Sequence, residues 1–231
     1  MSRRLALSTI SASGLVLLLT AVIVLPSVTR AQNSQTEAAL EKKLSQQYGA
    51  IQRQFRDLPP PAPDPVARRY NLRLWQGELA RLFSEAAIIV EEILKLNPPN
   101  ADLWRERLET LRLYGQPTSP PGQRTIYGAS EVDRKAKLVD TPVAVYTAEA
   151  RQANVRDEVR LRLVLAGDGT VRNMFPIKSA GHALTESAVT AAQQIKFEPA
   201  VRNGLAVSQF VTLVYEFKKK DAKPKIPRSV F

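Results

Sequence analysis

Ser179, His182 and Ser187 lie within one short segment, SAGHALTES, where a hydroxyl nucleophile and an imidazole come close in sequence. Such a set could do general-base hydrolysis, with histidine taking the serine proton. It lacks the strand–turn–helix setting that aims a nucleophile, and His182 reads as a surface residue near a helix start. Gly167-Asp168-Gly169 lacks the flanking pattern of a phosphate loop and sits between two strand patterns. Asp133, Asp140 and Asp168 show no metal-binding spacing. His182 is the sole histidine, too few for most histidine metal sites. The chain has no cysteine, which excludes disulfides, thiolate metal sites, cysteine nucleophiles and a lipid-modified N-terminal cysteine. The expectation is a protein that is not an enzyme and carries no cofactor.

The chain has 231 residues, enough for one or two domains, with 33 Lys+Arg against 22 Asp+Glu. Residues 1–31 hold three of the basic residues (Arg3, Arg4, Arg30) and no acid, so the rest is 30 against 22 and still basic. Such a balance favours acidic partners without selecting one. The N-terminus reads as a targeting segment: Arg3 and Arg4, then the apolar run Leu5 to Val28, then Thr29-Arg30-Ala31 as a small-x-small cleavage site. Cleavage after Ala31 gives a periplasmic product. The alternative is an uncleaved inner-membrane anchor, because the run exceeds the ~20 apolar residues a span needs. Both put the remainder outside the cytoplasm, so nucleic acid is not an expected partner.

Three helical patterns follow. Leu40, Leu44, Tyr48, Ile51 and Phe55 mark one from Gln35 to Phe55. Leu72, Trp75, Leu79, Leu82, Ala86, Ile89, Ile93 and Leu96 form a heptad seam from Ala67 to Leu96, widened by Phe83 and Val90. A third starts at Asn100 as N-cap, carries Trp104, Leu108 and Leu111, and stops at Gly115. These predict a helical hairpin or bundle over 35–115, with a homodimer through the helices left open. Pro59 to Pro65 reads as a stiff elbow of polyproline type. Gly115 to Gln123, rich in Gly, Pro and Ser, places the main boundary, with 116–139 as linker.

The last hundred residues change character. Val159, Leu161, Leu163 and Leu165 alternate with Glu158, Arg160 and Arg162, a half-buried strand. Gly167-Asp168-Gly169 turns the chain into a second strand, Thr170 to Ile177. Leu184, Ala188, Ala191, Ala192 and Ile195 share one helical face, and Pro199 ends that helical segment. Asn203-Gly204 makes a turn into a third strand, Val207 to Phe217. The order is strand–strand–helix–strand, and the third strand must lie beside the hairpin to cover the helix's apolar face. The basic end, 219–231, reads as a solvated tail.

The segments VYTAEAR (Val145 to Arg151), GDGTVRN (Gly167 to Asn173), SAGH (Ser179 to His182), KFEPA (Lys196 to Ala200), NGLAV (Asn203 to Val207) and YEF (Tyr215 to Phe217), in this order, resemble the C-terminal domain of the TonB family. The resemblance covers about residues 140–218. It implies a small α+β domain with an antiparallel sheet whose last strand pairs edge-on with an extended segment of an outer-membrane transporter, that is, β-augmentation. It further implies that Val143, Val145 and Tyr146 lie near the docked partner and that Val211, Thr212, Leu213, Val214 and Tyr215 form the docking strand. Three features depart from the family pattern. Tyr146-Thr147 replaces Tyr-Pro, residues 1–31 hold no histidine, and helices replace a long Pro/Lys/Glu spacer. These bear on force transduction and not on the domain's fold. The expected protein is an exported TonB-family binding module for an outer-membrane receptor or envelope protein. Two alternatives are a full anchored energy transducer and an envelope scaffold working through its helices.

Overall fold

The computed structural model describes residues 26–57, 64–116, 125–218, 220–221 and 224–225, with side chains of 26–29, 31, 224 and 225 left aside. The apolar run before Pro26 and most of the proline elbow lie outside these residues.

Two long antiparallel helices, α1 (Pro26–Arg56) and α2 (Pro65–Lys95), are followed by α3 (Ala101–Gly115). The start of α2 is set by Asp64, whose carboxylate accepts from the Val66 and Ala67 amides at 2.8 Å while Pro65 takes the first position. The expected cap at Asn100 works differently. Its side chain makes no bond to the helix backbone and instead accepts from Trp104 Nε1 at 3.0 Å. The seam residues Leu82, Ala86, Ile89 and Ile93 are buried within this one chain.

The C-terminal part is a mixed sheet. β3 (Arg156–Leu165) and β4 (Val171–Lys178) form the expected hairpin, and α5 (Leu184–Gln193) follows. β7 (Leu205–Lys218) then returns beside β3, antiparallel from Gln209 to Lys218. Val159, Leu161, Leu163 and Leu165 are fully buried and meet Leu184, Ala188, Ala191 and Ala192 of α5, as the alternation requires. A short helix, α4 (Ala148–Gln152), precedes β3, capped by the Thr147 hydroxyl.

The helical segment before Pro199 is shorter than its sequence pattern. It stops at Gln193, and Lys196–Glu198 become β5, paired with β2 (Lys137–Asp140). β2 supplies a ladder partner that local periodicity cannot reveal. Pro199 then separates β5 from β6 (Ala200–Arg202). Asn203 (φ 51) and Gly204 (φ 77) turn β6 into β7, the double positive-φ geometry of a tight hairpin. The segment expected as linker carries β2 and also β1 (Ile126–Tyr127), which pairs parallel with Ser208 and Gln209. That parallel pair makes the sheet mixed rather than purely antiparallel.

The helices lie on the sheet face opposite α5. Phe175 and Ile177 of β4 belong to the helical core, with Phe175 edge-on to Phe83 and Tyr48 at ring separations of 4.9 and 5.2 Å. Gln52 of α1 donates to the Pro176 carbonyl and to Ser179 Oγ. The Tyr114 hydroxyl of α3 donates to the Asn173 carbonyl at 2.9 Å. The architecture is therefore three layers: helices α1–α3, the sheet, then α5.

Candidate partner-binding edge

Residues on β7 alternate between two environments. Val211, Leu213, Tyr215 and Phe217 point into the α5 core. Phe210, Thr212 and Val214 point to the helical side, where Phe210 meets the Tyr114 ring at 5.7 Å. None of these side chains offers an exposed apolar patch, since Val211, Thr212, Leu213, Val214 and Tyr215 are all buried. The strand can offer backbone groups along its free side.

That side is partly covered by the chain itself. β6 pairs with Leu205–Val207 and β1 with Ser208 and Gln209. At the other end β8 (Pro224–Lys225) pairs Lys225 with Val214 and Pro224 with Tyr215. Proline has no N–H, so the Tyr215–Pro224 pair is of the non-bonded kind and Val214–Lys225 is the hydrogen-bonded one. The N–H and C=O of Val214 therefore point away from β3. By the period of two, so do those of Phe210 and Thr212, while Val211 and Leu213 bond to β3; the parallel pairing of Tyr127 with Gln209 takes up the Phe210 N–H, leaving the Phe210 C=O and the Thr212 N–H and C=O open. Among the described residues, no strand pairs with Phe210–Leu213 on the outer side. This leaves a window about 13 Å long, four residues at ~3.3 Å each.

The second expected element divides. Val143 and Val145 are exposed, whereas Tyr146 is buried, its ring 6.4 Å from that of Phe217. The Tyr146 hydroxyl bonds the Val155 and Ala150 carbonyls at 2.7 and 3.0 Å, and its N–H donates to Asp221 of the tail at 2.8 Å. Tyr146 thus anchors α4 to the sheet. The exposed valines sit near the Phe217 end of β7, away from the window.

Arg162 was not singled out from the sequence. It projects from β3 on the helical side and reaches over β7, with Nη1 3.4 Å from Thr212 Oγ1 and the guanidinium 5.3 Å above the Phe210 ring. Burial pushes its pKa below the usual arginine value, with Tyr114 opposing. The alternation that marks it as a solvent-side residue hid it, because the helices that half-bury it come from far away in sequence.

The serine–histidine segment does structural work. Ser187 Oγ donates to the Val145 carbonyl, Ser179 Oγ accepts from Gln52, and the His182 carbonyl accepts from Thr147. No cluster of three potential metal ligands occurs among the described residues.

A sheet packed on both faces and carrying one partly open strand makes this a small α+β domain. The family model of the Gram-negative bacterial TonB protein C-terminal matches residues 142–218, so this part of the chain is a TonB-family C-terminal domain. No curated protein matches the chain.

Proposed function

We propose that this chain is an exported, envelope-facing protein whose TonB-type domain captures an extended segment of a partner protein by backbone pairing along β7, linked to outer-membrane transport. The observation that carries this reading is the open outward Phe210 C=O and Thr212 N–H and C=O, bounded by β1 and β8 in a domain of this family. Family members dock on outer-membrane proteins, which makes an outer-membrane receptor the favoured partner. No helix among the described residues is long and apolar enough to cross a membrane.

A second reading, the inner-membrane-anchored transducer, is favoured by one feature. α1 is already helical from Pro26 through Ala31, and a peptidase needs its cleavage site extended. N-terminal sequencing of the mature protein separates the two: a start at Gln32 supports the exported module, and retention of Leu5 to Val28 supports the anchor.

The docking reading is tested by placing the photoreactive residue p-benzoylphenylalanine at Phe210, and at exposed Ile88 as control, in a Gram-negative host. Adducts specific to position 210, mapping to one short segment of an envelope protein, are expected. Equal or absent adducts at both positions contradict it.

A further inference from the structure

Arg162 differs from Arg160 and Arg172, its ion-paired neighbours in the β3–β4 hairpin. Arg160, two residues earlier on the same strand and face, pairs with Glu158 at 2.8 Å. Arg172 on β4 pairs with Asp168. Arg162 has no carboxylate within ion-pairing distance among the described residues, and its one hydrogen bond there is the long contact to Thr212. A guanidinium carries five N–H donors. None of its nitrogens is buried without a partner, so the unmatched N–H groups face solvent, and a carboxylate is the group that best engages them.

Its position decides what kind of carboxylate fits. The guanidinium lies over Thr212, the middle of the unpaired window, on the helical side of the sheet. A strand added outside β7 places one side chain of the same face directly opposite Thr212, with Cβ atoms about 5 Å apart. A side chain of aspartate or glutamate length reaches the guanidinium from there. The Phe210 ring below holds the cation in place by a cation–π contact, so the fork is pre-oriented toward the edge.

We infer that Arg162 is the specificity-determining residue of this edge, reading an aspartate or glutamate in the captured segment at the position opposite Thr212. The inference rests on the pairing reading above. It adds a sequence requirement to an interaction whose backbone part is indifferent to sequence. The geometry also sets a register, because only a side chain on the helical face of the added strand meets the cation.

The test uses the full chain in mild detergent and three labelled peptides of alternating Thr and Val with Gly-Ser ends. They differ only in a central Glu, Gln or Lys on one face. Binding is followed by fluorescence anisotropy, and pairing by hydrogen exchange at the Thr212 amide. The Glu peptide is expected to bind roughly tenfold tighter than the Gln peptide, the range of a hydrogen bond to a charged group. Arg162→Gln should erase that preference, Arg162→Lys should keep part of it, and Arg162→Glu should shift the preference to the Lys peptide. If all three peptides protect the Thr212 amide equally in the native protein, the acid-reading role is overturned and edge pairing stands. If none protects it, the pairing reading fails and the inference with it. A purely structural Arg162 would lower the melting temperature in Arg162→Gln and leave peptide preference unmoved, which also overturns it.

Discussion

Two buried tyrosines with similar surroundings differ in one respect that has a measurable consequence. The Tyr146 hydroxyl bonds carbonyls of α4 and of the loop that follows it, whereas the Tyr215 hydroxyl is buried with no partner among the described residues. Burial alone raises the Tyr215 pKa, so the phenol stays neutral. Tyr146→Phe should lower stability by about 1 kcal/mol, since the one O–H shared between the Val155 and Ala150 carbonyls is lost and the Val155 carbonyl loses that donor. Tyr215→Phe should be neutral or stabilising, since a buried unsatisfied group disappears. Urea denaturation of both variants checks the pair, and an equal loss in both would contradict the assignment. At this scale the sequence marks Tyr146 through its family motif but cannot say that it is an anchor rather than a contact residue. That depends on Asp221 and Phe217, far along the chain.

The strand, helix and turn types of the C-terminal domain were legible because their signals are local. The period of two in Val159 to Leu165, the small-residue face of α5 and the Asn203-Gly204 turn each act within a few residues. β1, β2, β5 and β8 were not legible: they are two to four residues long, and each exists only because a distant strand pairs with it. Replacing Asn203 and Gly204 together by Val forces two β-branched residues to positive φ and should cost at least about 2 kcal/mol, read as a lower melting temperature. An unchanged melting temperature would contradict the turn geometry. The two sides of β7 are separated by proline. Thr212→Pro removes an outward N–H, so the protein should fold and lose its photo-adduct. Leu213→Pro removes a bond to β3 and should cost about 3 kcal/mol or more, unfolding the domain. Circular dichroism and adduct yield distinguish these outcomes, and retained adducts in Thr212→Pro would contradict the outward assignment.

At the scale of the whole molecule, the helices and the sheet share a core through Phe175, which touches Phe83, Tyr48 and Tyr114. The heptad seam reads in sequence as an interface with another helix or chain, because periodicity gives the face and not its partner. In the structure β4 fills part of that role. Phe175→Ala should destabilise the protein by about 3–5 kcal/mol and release the helices from the sheet, detected as faster hydrogen exchange in both layers. Exchange confined to β4 would contradict a shared core. The layered arrangement also gives the β7 edge its character, since α3 and Arg162 form its helical wall while β1 and β8 set its ends. The most direct test of edge capture is amide exchange at Thr212 with the synthetic segment that photo-crosslinking at position 210 identifies. Protection of that amide is the predicted result. Unchanged exchange with the segment bound would mean that side chains alone hold the partner, contradicting backbone pairing at this edge.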